Sequence, residues 1–79
     1  MNGEFVKLLG PFVGKDGKTY SKLYFEDSDD RVFYSYAVEK NRNYKRWKRV
    51  IDAGVGTKVS GLEIYRGAVI DADSPVRVK

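Results

Sequence analysis

The sequence predicts a small, mainly β domain with one helix near its middle. Three observations support this prediction. Three runs rich in β-branched and aromatic residues fill the first half, a segment with helical spacing of apolar residues follows, and two shorter strand-like runs complete the chain. Because 79 residues are enough for one modest hydrophobic core and too few for two, residues 1–79 are expected to form a single domain.

The first three strands are expected to form an antiparallel meander. Strand-forming and turn-forming residues alternate along the ranges 4–13, 14–18, 19–26, 27–30 and 31–38. The Gly10-Pro11 pair interrupts the first run and predicts a bulge or a bend there.

The helix is predicted at roughly 42–53. Four large side chains recur at spacings of three and four and should share a buried face: Tyr44, Trp47, Val50 and Ile51. Asn41 or Asn43 can cap its start, and Gly54 can end it. Trp47 is therefore expected to serve the core and not a binding surface.

The last third of the chain predicts two more strands. Residues 55–64 should form a fourth strand that bends at Gly61, and a fifth at 67–70 and 76–78 should be interrupted near Pro75. The predicted order is thus strand, strand, strand, helix, strand, strand.

This order resembles the OB-fold. The resemblance includes the segment where the chain re-enters the sheet, Gly56-Thr57-Lys58-Val59-Ser60-Gly61-Leu62. The OB-fold is a five-stranded Greek-key barrel whose helix lies between strands three and four. The resemblance covers nearly the whole chain and rests on architecture, without a diagnostic motif. An SH3-like small barrel and an α+β sheet are the alternatives. SH3-like barrels usually have only a short 3₁₀ turn where this sequence offers about three helical turns.

The composition argues against several classes of function. The chain has no cysteine and no histidine, which removes disulfide scaffolds, the usual zinc ligand sets and the commonest catalytic groups. The aspartates at 27, 29, 30, 71 and 73 lack the spacing of a calcium-binding loop and suit turns. We therefore predict no enzymatic activity, no metal and no cofactor. Without a secretory signal pattern or a long apolar run, a cytoplasmic location with no membrane partner is expected.

The segment 19–35 is the most informative about function. A four-residue loop at 27–30 would pair Glu26 with Arg31 and so decide which side chains share a face. The outer face would then carry rings alternating with basic groups, with one more lysine in the preceding turn: Lys18, Tyr20, Lys22, Tyr24, Arg31 and Phe33. A change of register by one residue would turn Tyr34 and Tyr36 outward and Phe33 inward.

Rings beside cations are typical of single-strand binding, because bases stack on aromatic planes while Lys and Arg neutralise phosphates. In OB-folds this face is the usual nucleic-acid surface. The net charge of +4 is compatible with such a partner. The predicted function is therefore binding of single-stranded DNA or RNA with little sequence preference. A simpler interpretation is that the tyrosines only cover the surface of a small barrel.

A second basic cluster surrounds the predicted helix: Lys40, Arg42, Lys45, Arg46, Lys48 and Arg49. Of these, Lys45, Arg46, Lys48 and Arg49 are candidate phosphate contacts that would add a salt-sensitive, sequence-independent contribution to affinity. They equally fit the solvated face of an amphipathic helix, or a surface for an acidic protein partner.

A protein-interaction adaptor is the alternative function. Exposed aromatic and arginine residues are enriched in protein interfaces, so a small phage or mobile-element protein that docks on a host or replication protein would show the same composition. The edge strands of such a small barrel also offer a route to a homodimer.

Overall fold

The computed structural model describes residues 2–41, 44–65, 68–70 and 77–78, with side chains described up to residue 62. Within them the elements follow in the order β1 (Gly3–Val13), β2 (Thr19–Glu26), β3 (Val32–Val38), α1 (Tyr44–Ala53), β4 (Lys58–Ser60), β5 (Glu63–Tyr65), β6 (Ala68–Ile70) and β7 (Arg77–Val78). The prediction of a mainly β chain with one helix is confirmed. No helix in the described ranges has the length and apolar character needed to span a membrane.

The strands join in the order β5-β6-β3-β2-β1-β4-β7. The centre of this arrangement is an open antiparallel sheet of four strands, β3-β2-β1-β4. Strand β6 pairs in parallel with β3, at Ala68 and Tyr34, and antiparallel with β5. The predicted fourth strand corresponds to two strands, β4 and β5, on either side of Gly61 and Leu62. The predicted fifth corresponds to β6, which pairs with β3, and β7, which pairs with β4, so a set of five strands is not confirmed. The predicted interruption near Pro75 lies outside the described residues. A closed barrel stays a prediction.

Strand β1 contains two irregularities that decide which of its side chains face outward. Its register against β2 shifts between Phe5 and Lys7 and again between Leu9 and Phe12. The second shift confirms the irregularity predicted at Gly10-Pro11, where Gly10 has a φ of 106° that glycine adopts without steric cost. From Leu9, which lies opposite Lys22, β1 advances three residues while β2 advances only two, and Phe12 therefore lies opposite Tyr20.

Both hairpins have three-residue loops closed by a backbone pair. In the first, the Gly14 N–H donates to the Lys18 carbonyl over 2.8 Å, and Gly17 takes the left-handed conformation at φ 80°. In the second, the Asp27 N–H donates to the carbonyl of Arg31 over 3.0 Å, and Asp30 takes the left-handed conformation at φ 61°.

The four-residue loop predicted at 27–30 is therefore wrong by one residue. Glu26 lies opposite Val32 and not opposite Arg31. The cause is the Asp27 carboxylate, which accepts the N–H groups of Asp29 and Arg31 at 2.9 and 3.0 Å and so holds Arg31 within the turn. Every side chain of β3 consequently faces the side opposite to the one predicted.

The hydrophobic core lies between the inner face of the sheet and the helix. It consists of Phe5, Leu23, Phe25, Ala37, Trp47, Val50, Val59 and Leu62. The Trp47 ring, only 1% exposed, lies 5.9 Å from that of Phe25, and Tyr44 and Ile51 pack against the cluster half-buried. The predicted inward face of the helix is thus confirmed.

The helix also ends as predicted. Gly54 follows Ala53 with a φ of 93°, and its N–H donates to the carbonyls of Val50 and Ile51 at 3.3 and 3.1 Å. At the start, the Tyr44 N–H donates to the Asn41 carbonyl over 3.0 Å. The predicted first two helical positions, 42 and 43, lie outside the described residues.

Candidate functional site

The outer face of β1, β2 and β3 brings together five aromatic side chains. In the observed register its side chains form four cross-strand rows: Phe12, Tyr20 and Val38 in row one, Leu9, Lys22 and Tyr36 in row two, Lys7, Tyr24 and Tyr34 in row three, and Glu4, Glu26 and Val32 in row four. We call the five rings of the first three rows, together with Lys22, the tyrosine face.

Most of the rings of the tyrosine face form one continuous strip. Ring centroids are 5.5 Å apart between Phe12 and Tyr20, 5.9 Å between Tyr20 and Tyr36, and 5.7 Å between Tyr36 and Tyr34. The tilted and edge-on geometries are those that aromatic pairs prefer. Phe12 and Tyr36 remain 45% and 44% exposed, which leaves ring surface open to a ligand.

A single ammonium group lies among three of these rings. Lys22 Nζ is 4.6, 4.9 and 5.6 Å from the ring centroids of Tyr34, Tyr24 and Tyr36, respectively. The hydrogen bond to Tyr24 is the main cause that raises the pKa of Lys22 above its ordinary value, although desolvation opposes it. The rings thus surround a cationic group in a defined place.

The structure brings together three of the predicted site residues, Tyr20, Lys22 and Tyr24, which lie next to one another on β2. Lys18 is exposed at the end of the β1–β2 turn, beside row one. The alternation of rings with a basic group that was predicted for β2 is therefore present, although the neighbouring rings on β1 and β3 differ from those predicted.

Two predicted site residues are placed elsewhere because the register of β3 differs. Phe33 points to the inner face and packs against the core, so it is not a stacking ring of this surface. Arg31 belongs to the β2–β3 loop, where its guanidinium lies 3.2 Å from Asp27 Oδ2 and 3.4 Å from Asp29 Oδ2. Its charge is largely matched by these carboxylates.

The predicted basic residues of the helix lie on the other side of the sheet, because Trp47 seats the helix against the inner face. Lys45 and Arg49 are exposed, Arg46 is half-buried, and Lys48 Nζ lies 3.2 Å from Asp52. They share no surface with the tyrosine face. Of the flanking cations, Lys40 is exposed and the residue at 42 lies outside the described part of the chain.

Four aromatic or basic residues of the first three rows were absent from the predicted site: Lys7, Phe12, Tyr34 and Tyr36. The two tyrosines had been assigned inward by the four-residue loop. The aspartates at both ends of 27–30 were the available signal, because aspartate can close a turn through its side chain and tolerates the left-handed conformation. Phe12 and Lys7 owe their position to the two irregularities of β1.

Row four and the adjacent loop carry the opposite charge. Glu4 lies directly opposite Glu26, and hydrogen bonding to Asp30 is the main cause that raises the pKa of Glu26. The side chain of Asp27 is 5% exposed; this desolvation opposes ionisation, but hydrogen bonds from the Arg31 and Asp29 N–H groups lower its pKa. We call Glu4, Glu26, Asp27 and Asp30 the acidic edge. Among the described side chains, no group of acidic residues is arranged to hold a metal ion.

Glu26→Gln is expected to stabilise the protein at neutral and higher pH. Because the fold raises the pKa of Glu26, its charged form costs stability, and this cost grows as the pH rises through that raised pKa. Melting temperatures between about pH 4 and 8 should show the variant above the wild type at the upper end and equal to it at the lower end. Glu39→Gln, at an exposed position after β3, is the control. A difference independent of pH would contradict this account.

No protein-family model, curated protein or solved structure matches this chain. The functional argument consequently depends on the geometry of the tyrosine face.

Proposed function

We propose that this protein binds single-stranded DNA or RNA, with little sequence preference, on the tyrosine face. The observation that carries the proposal is the continuous strip of partly exposed rings with the Lys22 ammonium among them. Every base has a π-face that can stack on such rings, and a lysine can neutralise a phosphate whatever the base beside it. Bases of single strands are free to stack because no partner strand holds them.

In this proposal the rings supply most of the binding energy and the lysines supply its dependence on salt. Stacking contributes roughly 1–3 kcal/mol per base in proteins of this kind. Lys22 and Lys7 reach the rings from within the face, and Lys18 stands at its end. The protein acts as a binding module, without a reaction, a metal or a cofactor.

We further propose that the sheet closes into an OB-like Greek-key barrel. Only Gly61 and Leu62 separate β4 from β5. If these two strands act as one bent strand, then β1 pairs with β4 on one side, β3 with β6 on the other, and β5 with β6 between them. In OB barrels the face of strands two and three binds oligonucleotides, and in such a barrel the tyrosine face would be the equivalent surface.

A protein-interaction adaptor is the second candidate, favoured by the exposed apolar side chains at one end of the face. Val13 is 76% exposed beside Phe12, and aromatic rings with exposed apolar neighbours are also typical of protein interfaces. The docking partner would then be a protein, such as a replication protein of a host, and affinity would respond far less to salt.

Fluorescence anisotropy of a labelled single-stranded oligonucleotide tests the proposal. The wild type should bind at low salt, and the logarithm of its affinity should fall linearly with the logarithm of the salt concentration. Lys22→Gln should weaken binding and reduce that slope by about 0.7, the contribution of one phosphate of a single strand. Lys45→Gln, a change of the same kind on the opposite side of the sheet, should leave both unchanged. Absence of binding at low salt would overturn the proposal in favour of the adaptor.

A further inference from the structure

The tyrosine face offers a countable number of stacking positions. Its rings occupy three rows, each two residues along the strands from the next, which corresponds to about 7 Å between rows. Row one carries Phe12 and Tyr20, row two carries Tyr36, and row three carries Tyr24 and Tyr34. A strand that crosses these rows therefore meets three groups of rings in succession.

Positive charge runs along the same three rows. Lys18 stands in the turn beside row one, Lys22 lies in row two, and Lys7 in row three has its Nζ 6.0 Å from the Tyr24 ring centroid. Lys22 Nζ lies between rows two and three, 5.6 Å from the Tyr36 ring centroid and 4.6 Å from that of Tyr34, so three cations accompany the three groups of rings. Cations among rings suit a single strand, in which phosphates accompany the stacked bases.

The charge reverses in the next row. Glu4 and Glu26 face each other there, and Asp27 and Asp30 follow in the loop. Two cations are near. Arg31 forms ion pairs with Asp27 and Asp29. Lys58 of β4 lies opposite Glu4 of β1 in the antiparallel pair of these strands. Because about 7 Å between rows is less than the Debye length of roughly 8 Å at physiological salt, a phosphate that continued past row three would be repelled.

From this juxtaposition, and resting on the proposed function, we infer that the tyrosine face is a short site. It binds about three nucleotides of a single strand, one per aromatic row, and it is terminated at one end by the acidic edge. A longer single strand leaves the surface at row three and does not extend along the β2–β3 loop.

The salt dependence of binding to oligothymidylates of increasing length tests this inference. The slope counts contacted phosphates and, unlike affinity, does not grow with the number of overlapping sites on a long oligonucleotide. It should increase up to a length of about three or four nucleotides and then stay near 2, the value expected for about three phosphates of a single strand. The double variant Glu4→Gln/Glu26→Gln should increase the slope more for oligonucleotides of about nine than for the shortest ones, because only the longer strands reach beyond row three.

The possible results separate this inference from the proposed function. A wild-type slope that keeps growing up to about nine nucleotides would overturn the short site while the nucleic-acid proposal stands. A plateau that the double variant does not shift would overturn the role of the acidic edge. No binding at any length, with the wild type folded by circular dichroism, would overturn both.

Discussion

Replacing Trp47 with alanine should cost roughly 3–5 kcal/mol of folding stability and leave much of the protein unfolded at room temperature. Trp47 is 1% exposed, is the largest side chain of the core, and packs its ring 5.9 Å from that of Phe25. A domain of this size is stabilised by only about 0.05–0.15 kcal/mol per residue, or roughly 4–12 kcal/mol in total, so the loss is a large part of its folding stability. Urea denaturation followed by far-UV circular dichroism measures it without relying on the deleted fluorophore.

Two further variants make the result specific to the buried indole. Trp47→Phe retains a ring in the same space and should cost clearly less than the alanine variant. Arg49→Ala changes an exposed side chain of the same helix and should leave the midpoint almost unchanged. An unaltered midpoint for Trp47→Ala would mean that the helix does not seat its tryptophan in the core.

The periodicity of the sequence was sufficient to predict the main elements. Strand β2 begins and ends at the predicted residues, and the helix ends before Gly54 as expected. Strand β2 is predictable because its run of aromatic and β-branched residues is bounded by turn-forming residues. The helix is predictable because spacings of three and four place Trp47 and Val50 on one face. Local chemistry and tertiary packing agree in both places.

The register of β3 could not be obtained in the same way. Three-residue hairpin loops place their third residue in the left-handed conformation, and glycine is the residue that normally signals this. Gly17 does so in the first hairpin, whereas Asp30 occupies the equivalent position in the second. The interaction that favours this loop is the pair of hydrogen bonds to the Asp27 carboxylate, which residue composition alone does not reveal.

The candidate site was half predictable for the same reason. Side chains of β2 keep their relation to one another whatever its neighbours do, so Tyr20, Lys22 and Tyr24 were correctly grouped. The partners contributed by β1 and β3 depend on one bulge and one loop, and an error of one residue in either exchanges inner and outer side chains. The placement of the helix behind the sheet depends on packing between distant segments, which no local pattern encodes.

A large loss of binding is expected from substitution of Tyr36, which the observed register of β3 places on the tyrosine face. Its ring lies 5.9 Å from that of Tyr20 and 5.7 Å from that of Tyr34, and it is 44% exposed. A base stacked at row two would rest on this ring. Tyr36→Ala should therefore weaken binding of a single-stranded oligonucleotide by roughly 1–3 kcal/mol, or about 5- to 150-fold.

Val32→Ala is the matched control for this variant. Val32 lies on the same strand and the same face, is 54% exposed, and belongs to row four beside the acidic edge, where no base is expected to stack. Its substitution should leave affinity unchanged. Tyr36→Phe keeps the ring and should retain most of the affinity, since stacking needs the π-face and not the hydroxyl group.

Phe33→Ala separates the two registers of β3. Phe33 packs against the core, so its replacement should lower the melting temperature while the molecules that remain folded bind oligonucleotides as the wild type does. Tyr36→Ala should show the reverse, with reduced binding and a melting temperature near that of the wild type, because its ring is partly exposed. If Tyr36→Ala stays folded and binds normally, stacking on the tyrosine face is wrong even where the protein binds nucleic acid. The lysines would then account for binding on their own, and its affinity would depend on charge alone.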